Sequence, residues 1–265
     1  MTIVSDVTDW LDAEFPTELA EDWDNTGLLL GRPDSRVTRA VTCLTLTEDV
    51  AAEAAEAGAS LVVSHHPILF RGAKQLTTTT AEGRTLLRLI EAGVSVYSPH
   101  TRFDSAASGI NAALADGLNL TSVRPIHPAE DPNVGSGRMG DVASPSTVRE
   151  TAKVVTRVCR VEGLHVVGRA DAAVTRIAVA CGAAGEYLRD AAAAGCDGFL
   201  TGEVRFHTAL EAEALGVALF VPGHYATERP AVERLADRIG TQFPDVRCTV
   251  SKSEADPLRW IAAES

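Results

Sequence analysis

Short apolar runs alternate with amphipathic helical stretches along the whole chain, and this rhythm constrains the fold most. Val37 to Thr45 reads as a strand, and Glu48 to Ala57 as a helix closed by Gly58. Ser60 to Ser64 reads as a short buried strand and Ala81 to Ala92 as a helix closed by Gly93. Val94 to Ser98 is a further strand, and a helix runs from about Ala106 to Leu118. Strands separated by helices predict an α/β fold with a mainly parallel or mixed sheet, because parallel neighbours need a crossover and the helix supplies it. In such sheets ligands bind just past the carboxyl ends of the strands.

A polar stretch from Thr121 to Asn133, with Pro125, Pro128 and Pro132, reads as a seam. A second alternation follows it. Ser146 to Cys159 is helical, with Ser144 or Ser146 as N-cap and Pro145 near the first turn. Leu164 to Arg169 and Arg176 to Ala180 are strands, Gly185 to Ala194 is an Ala-rich helix, and Phe199 to Thr201 is a strand end. Thr208 to Leu215 and Arg229 to Ile239 are helices, and Ala218 to Val221 and Val246 to Ser251 are strands. The expected division is an N-terminal α/β domain over residues 1–122 and a second α/β region over 123–265. The last part of that region, about 220–265, returns to the site described below.

Composition narrows the function. Lys and Arg number 24 against 36 Asp and Glu, a net charge of −12, which disfavours a nucleic acid partner because phosphate binding needs a basic face. The five cysteines are widely spaced and never form C-x-x-C, so they read as reduced thiols rather than a disulfide framework or a thiolate zinc site. The N-terminus lacks a basic and apolar leader, and no apolar run approaches the ~18 residues of a membrane span. The expectation is a cytoplasmic protein with no membrane partner.

Three strand ends deliver chemistry-bearing residues. His65-His66-Pro67 follows the strand SLVVS, and successive residues leaving a strand point to opposite sides. His100-Thr101-Arg102-Phe103-Asp104 follows Val94 to Ser98; His100 and Asp104 converge if the turn between them is helical, although Asp104 could instead cap the next helix. Gly223-His224-Tyr225-Ala226-Thr227-Glu228 follows the strand ending at Val221, where Glu228 could also be a helix-terminal charge favoured by the macrodipole. Imidazole and carboxylate are ligands that suit Zn, Fe, Mn or Ni. His65, His66, Asp104, His224 and Glu228 make five donors, with His100 a sixth candidate. One catalytic ion usually takes three protein ligands, so the count favours two divalent ions per subunit.

These segments, together with Asp22-Trp23-Asp24-Asn25-Thr26-Gly27-Leu28 and Thr201-Gly202-Glu203, resemble the signatures of the GTP cyclohydrolase 1 type 2 family, also called the Nif-three-like dinuclear metal-centre proteins. The match is collinear over nearly the whole chain. The resemblance implies two similar α/β domains with mixed sheets, a dinuclear metal site in the cleft between them, and assembly into a homohexamer. It carries the metal ligands onto His65, His66, Asp104, His224 and Glu228, and places His100 beside the metals. One departure stands at Thr45, in Leu44-Thr45-Leu46-Thr47, where relatives commonly carry Asp.

The implied function is hydrolytic: a metal-activated water attacks a ring or acyl-type bond of a small, nucleotide-like substrate, with His100 shuttling protons. The alternative is a non-catalytic metal-binding, metal-delivery or regulatory scaffold protein using the same pocket. Gly135-Ser136-Gly137-Arg138-Met139-Gly140 matches G-x-G-x-x-G, but it follows a Pro-rich polar loop, so it reads as a tight turn into a strand rather than a dinucleotide site. His207 is placed near the same cleft, and His127 and His165 read as incidental. Trp23-Asp24-Asn25 reads equally as an Asx-type turn or as a border of the pocket.

Overall fold

The computed structural model describes residues 1–259 and 261. The chain opens with α1 (Val4–Glu14) and β1 (Gly27–Leu30), then runs through β2 (Arg39–Cys43), α2 (Glu48–Glu56), β3 (Leu61–Ser64), α3 (Ala81–Glu91) and β4 (Ser95–Ser98). Next come α4 (His100–Ser105), α5 (Ile110–Gly117), β5 (Leu120–Arg124), the short pair β6 (His127–Pro128) and β7 (Gly135–Ser136), and β8 (Arg138–Thr147). The remainder is α6 (Val148–Cys159), β9 (His165–Val167), β10 (Ala173–Ala180), α7 (Leu188–Ala193), β11 (Gly198–Thr201), α8 (Phe206–Leu215), β12 (Ala218–Val221), α9 (His224–Gln242) and β13 (Arg247–Val250).

Two mixed sheets carry the fold. The first has the order β1-β4-β3-β2-β13, parallel except for β1 at its edge. The second has the order β5-β8-β10-β11-β12-β9, parallel from β10 through β12 and antiparallel elsewhere. Among the described residues the last strand in sequence, β13, pairs with β2, so the segment that follows α9 returns to the first sheet.

Alternation along the strands sorts side chains between layers. Leu61, Val63 and Tyr97 of the first sheet join Val174, Ile177, Val179, Leu200 and Phe220 of the second in one hydrophobic cluster, together with residues of α1, α5, α6 and α9. Their alternates Val41, Cys43, Val62 and Val96 face α2 and α3. On the far side, Ala178, Ala180, Phe199 and Leu219 face α7 and α8. The layers therefore run helices, sheet, shared helices, sheet, helices, and the central core belongs to both sheets.

Several elements differ from their sequence expectation for physical reasons. The helix expected from Arg229 begins at His224, because Gly223 takes φ +117° and lets the turn close five residues earlier. The helix expected from about Ala106 starts later, at Ile110 with Gly109 as its N-cap, and a separate short helix, α4, precedes it just past β4. Thr147, not Ser144 or Ser146, caps α6, with Glu150 completing a capping box. Pro145 instead lies in β8, between Asp141 and Ser146, where that strand's register with β10 shifts. The Thr121 to Asn133 stretch holds β5 and β6; β5 is an edge strand whose residues after Leu120 are exposed, so its polarity hides it.

Candidate metal centre

The structure brings together all six side chains nominated above. His65 and His66 leave the carboxyl end of β3; His100 and Asp104 lie one turn apart on α4, just past β4; His224 and Glu228 lie one turn apart at the start of α9, just past β12. The helical turn after β4 answers the first ambiguity, since Asp104 sits inside α4 while Gly109 is the N-cap of α5. Glu228 is the hub. Its Oε2 lies 3.0 Å from His224 Nε2, 3.1 Å from His66 Nε2 and 3.9 Å from His65 Nε2, and His65 Nε2 is 3.6 Å from Asp104 Oδ1. Three groups hold ligand atoms all within 4.8 Å of one another: His65, His66 and His100; His66, His224 and Glu228; His65, Asp104 and Glu228.

Glycines make room for this convergence. A Cβ on Gly182, which follows β10 with φ +65°, would stand 2.4 Å from Glu228 Oε1. At Gly202, after β11, it would meet the Cα of His224 at 2.7 Å. Thr227 fastens the helix start to the sheet, accepting from the Gly182 N–H at 3.1 Å and donating to the His224 carbonyl at 2.8 Å.

Three of the four central histidines commit Nδ1 to an orienting group. His66 Nδ1 bonds Thr45 Oγ1 at 2.8 Å, His100 Nδ1 bonds Asp24 Oδ1 at 2.7 Å, and His224 Nδ1 bonds Glu203 Oε1 at 3.1 Å. Such partners fix the ring and its tautomer, turning Nε2 toward the centre. Thr45 thus performs with a hydroxyl what a carboxylate would do there, and its own N–H donates to Glu254 Oε1 at 2.6 Å. Asp24 serves both sequence readings: Oδ1 accepts the Asn25 N–H at 2.8 Å in a local turn, and Oδ2 accepts Thr101 Oγ1 at 2.5 Å on the pocket wall. Asp104 Oδ1 accepts from the buried Cys181 thiol at 3.1 Å. His207, expected near the cleft, lies exposed on α8 and outside the three groups. His127 pairs with Asp190 at 2.8 Å and stacks on Tyr187. The expected turn at Gly135 to Gly140 forms, with Gly137 at φ +63° leading into β8.

The electrostatics are those of a site built for cations. His65 is 2% exposed and neither ring nitrogen has a hydrogen-bond partner. Burial pushes its pKa well below the usual imidazole range, leaving it neutral and able to donate a lone pair. Burial and the neighbouring Glu228 push Asp104 up to about 7. Burial acts the same way on Glu228, but His224 and His66 outweigh it and hold that carboxyl well below its ordinary value. The Glu228 carboxylate beside it raises His224 to about 9. His224 Nε2 nevertheless lies near Glu228 without a hydrogen bond's alignment. A buried imidazole with neither nitrogen bonded, beside the buried Glu228 carboxylate and Asp104, is costly unless something positive sits among them, and the donor set fits a divalent transition metal.

The sequence and fold have relatives. The family model for Duf34/NIF3 (NGG1p interacting factor 3) matches residues 2–257. A Streptomyces coelicolor protein named GTP cyclohydrolase 1 type 2 homolog is 36% identical, over 99% of this chain and 95% of its own. The Schizosaccharomyces pombe protein named Protein NIF3 homolog is 34% identical over 94% of each chain. The solved structure of a Bacillus cereus protein related to NIF3 superposes with a TM-score of 0.88, covering 98% of this chain and 99% of that one at 20% identity, a likeness of fold. Among the described residues, no helix is long and apolar enough to cross a membrane.

Proposed function

Because the chain belongs to the Duf34/NIF3 family, we propose that the cluster is the dinuclear metal centre of a hydrolase. The observation that carries this reading is that Glu228 belongs to two different three-donor groups. His65 and Asp104 would hold one ion, His66 and His224 the other, and Glu228 would serve both. Two bound divalent ions would supply Lewis acidity and a water of lowered pKa for hydrolysis at neutral pH. Zinc, iron, manganese or nickel suits these donors.

The protein's own residues have separable tasks. Thr45 and Glu203 hold the His66 and His224 rings with Nε2 inward. His100, held at Nδ1 by Asp24, has Nε2 left to take up or release a proton beside the centre. The substrate is a small molecule attacked at a ring or acyl-type bond, and the names of the relatives make GTP the first to try. The same reading has the chain assemble as a homohexamer, for which light scattering should give several times the 27.9 kDa of one chain.

The test is elemental analysis of protein purified without added metal, coupled to a hydrolysis screen of nucleotides, cyclic amides, esters and thioesters. His65→Ala/His66→Ala should remove most of the bound metal and leave the circular dichroism spectrum unchanged. Full occupancy in that variant would overturn the ligand assignment. Metal that exchanges freely with no turnover on any substrate would favour a metal-delivery or regulatory role.

A further inference from the structure

Two aromatic rings are held in solvent at the mouth of the cluster. Trp23 is 59% exposed and Phe70 47% exposed, although the backbone around each is pinned. The Glu21 N–H donates to Thr101 Oγ1 at 3.1 Å, Asp24 binds His100 and Thr101, and Asn25 Nδ2 donates to the Leu69 carbonyl at 2.5 Å, tying the two loops together. A loose loop would fold such rings inward to escape water; these loops are fastened with the rings outward. The ring centroids stand 5.8 Å apart at 62°, forming an open corner. Both meet His100 edge-on, Trp23 at 6.0 Å and Phe70 at 6.3 Å, and His100 lies 5.3 Å from His65 and 5.7 Å from His66. The corner is therefore continuous with the metal centre. Arg71 and Lys74, both exposed, follow Phe70 in a segment with no acidic residue between His66 and Glu82, while Glu21, Asp22 and Asp24 flank Trp23 on the other side.

The geometry points to Trp23 and Phe70 as a subsite that seats a planar heteroaromatic ring bearing an anionic group, with the ring's edge beside His100. A π-face stacks on indole or phenyl, which a saturated ring or acyl chain cannot match, and Arg71 and Lys74 on the Phe70 side are the groups that would meet an anion. The role of the subsite in a reaction rests on the hydrolase reading above, whereas its ability to bind a ring does not.

Binding to the metal-loaded full chain is measured by calorimetry with GTP, ATP, UTP and nicotinamide mononucleotide, and with inorganic triphosphate as the anion without a ring. At least one ring-bearing probe should bind and quench Trp23 emission. Trp23→Ala and Phe70→Ala should each weaken it about tenfold or more, the range of a lost stacking contact. Trp23→Phe should stay within about threefold, since it keeps a π-face. Triphosphate should bind weakly and equally to all variants, and metal content should not change. Equal affinity of parent and Trp23→Ala for the ring-bearing probes would overturn the proposal, as would triphosphate binding as tightly as they do. So would no binding by any ring-bearing probe up to about 1 mM, the top of the usual substrate range. Loss of assembled mass in Trp23→Ala without ring binding would give the corner to a second copy of the chain and overturn it likewise. Ring binding without turnover sinks the hydrolase reading and leaves the subsite standing. Turnover with unchanged kcat/KM in both alanine variants sinks the subsite alone.

Discussion

An imidazole can serve a metal, a proton or the backbone, and the partner of its other nitrogen goes far toward deciding which. His100 illustrates this. Its backbone takes φ +33°, a conformation that L-residues seldom adopt, and it is kept there by Asp24, which binds both its ring and the neighbouring Thr101. Strain of that kind costs on the order of 1–3 kcal/mol and persists where surroundings over-determine it. Burial works against it, but the hydrogen bond to Asp24 and the charges of Asp104, Asp24 and Glu228 outweigh that effect and raise the His100 pKa, which suits a group that accepts a proton. On whichever substrate the screen yields, His100→Ala should keep its metal by elemental analysis and lose about 10²–10⁴ in kcat, the usual worth of a general acid or base. Asp24→Asn should share much of that loss, because the amide no longer favours the charged imidazole. Unchanged turnover with unchanged metal would end the catalytic role of His100, and loss of one metal would make it a ligand instead.

Elements deliver these residues, and not all of their ends can be read from the sequence. The donors themselves are readable because strands ending in His-His, His-x-x-x-Asp and His-x-x-x-Glu leave few other uses for so many ligand atoms at one sheet edge. Their orienting partners are not, since Asp24 stands 76 residues before His100, and no periodicity links them. Pro230 misplaces the start of α9 in a sequence reading, because proline suits a first helical turn; the helix instead absorbs it in its interior. The N-terminal pair α1 and β1 escapes the same reading: the four residues of β1 are all half-buried, so alternation is absent. Arg138, inside the glycine-rich segment, shows why that turn exists. Its buried guanidinium donates to the Gly135 and Gly137 carbonyls at 2.6 and 2.7 Å, and to the Ser105 and Ala106 carbonyls at 2.9 Å each. It thereby locks the end of α4, and so Asp104, to the start of β8. Arg138→Met fills the volume but leaves those carbonyls without a donor. The expected cost is at least about 3 kcal/mol, read from urea unfolding. A loss below about 1 kcal/mol would show that water replaces the guanidinium, as it can at an exposed carbonyl.

At the scale of the whole molecule, β13 completes the sheet in which the first half of the chain is built, and the contacts of the segment after it reach the metal centre through Thr45. After β13 pairs with β2, Glu53 on α2 accepts from the Ser251 hydroxyl at 2.6 Å and from the Lys252 and Ser253 N–H groups at 2.9 and 3.0 Å. Glu254 then accepts the Leu44 and Thr45 N–H groups and pairs with Arg229 of α9 at 2.9 Å. Through Thr45, the docked segment helps to set the His66 ring. Burial pushes the Glu53 carboxyl up, but the Ser251 hydroxyl and the two N–H donors outweigh it and hold it below its ordinary 4.5. A carboxyl lowered on folding adds stability that is complete above its unfolded pKa and is lost as pH falls through the folded one. Glu53→Gln should therefore be less stable than the parent at about pH 7, and the gap should close as pH falls below the ordinary carboxylate range and through the lowered folded value, where the parent's carboxylate is also protonated. Urea unfolding of both proteins across that range measures it. Because the loosened segment carries Glu254, the neutral-pH variant should also hold metal less tightly, with His65, His66 and Glu228 untouched. A stability gap that stayed constant with pH would mean that Glu53 acts through its shape alone. Unchanged metal affinity beside a real stability loss would uncouple the segment after β13 from the site.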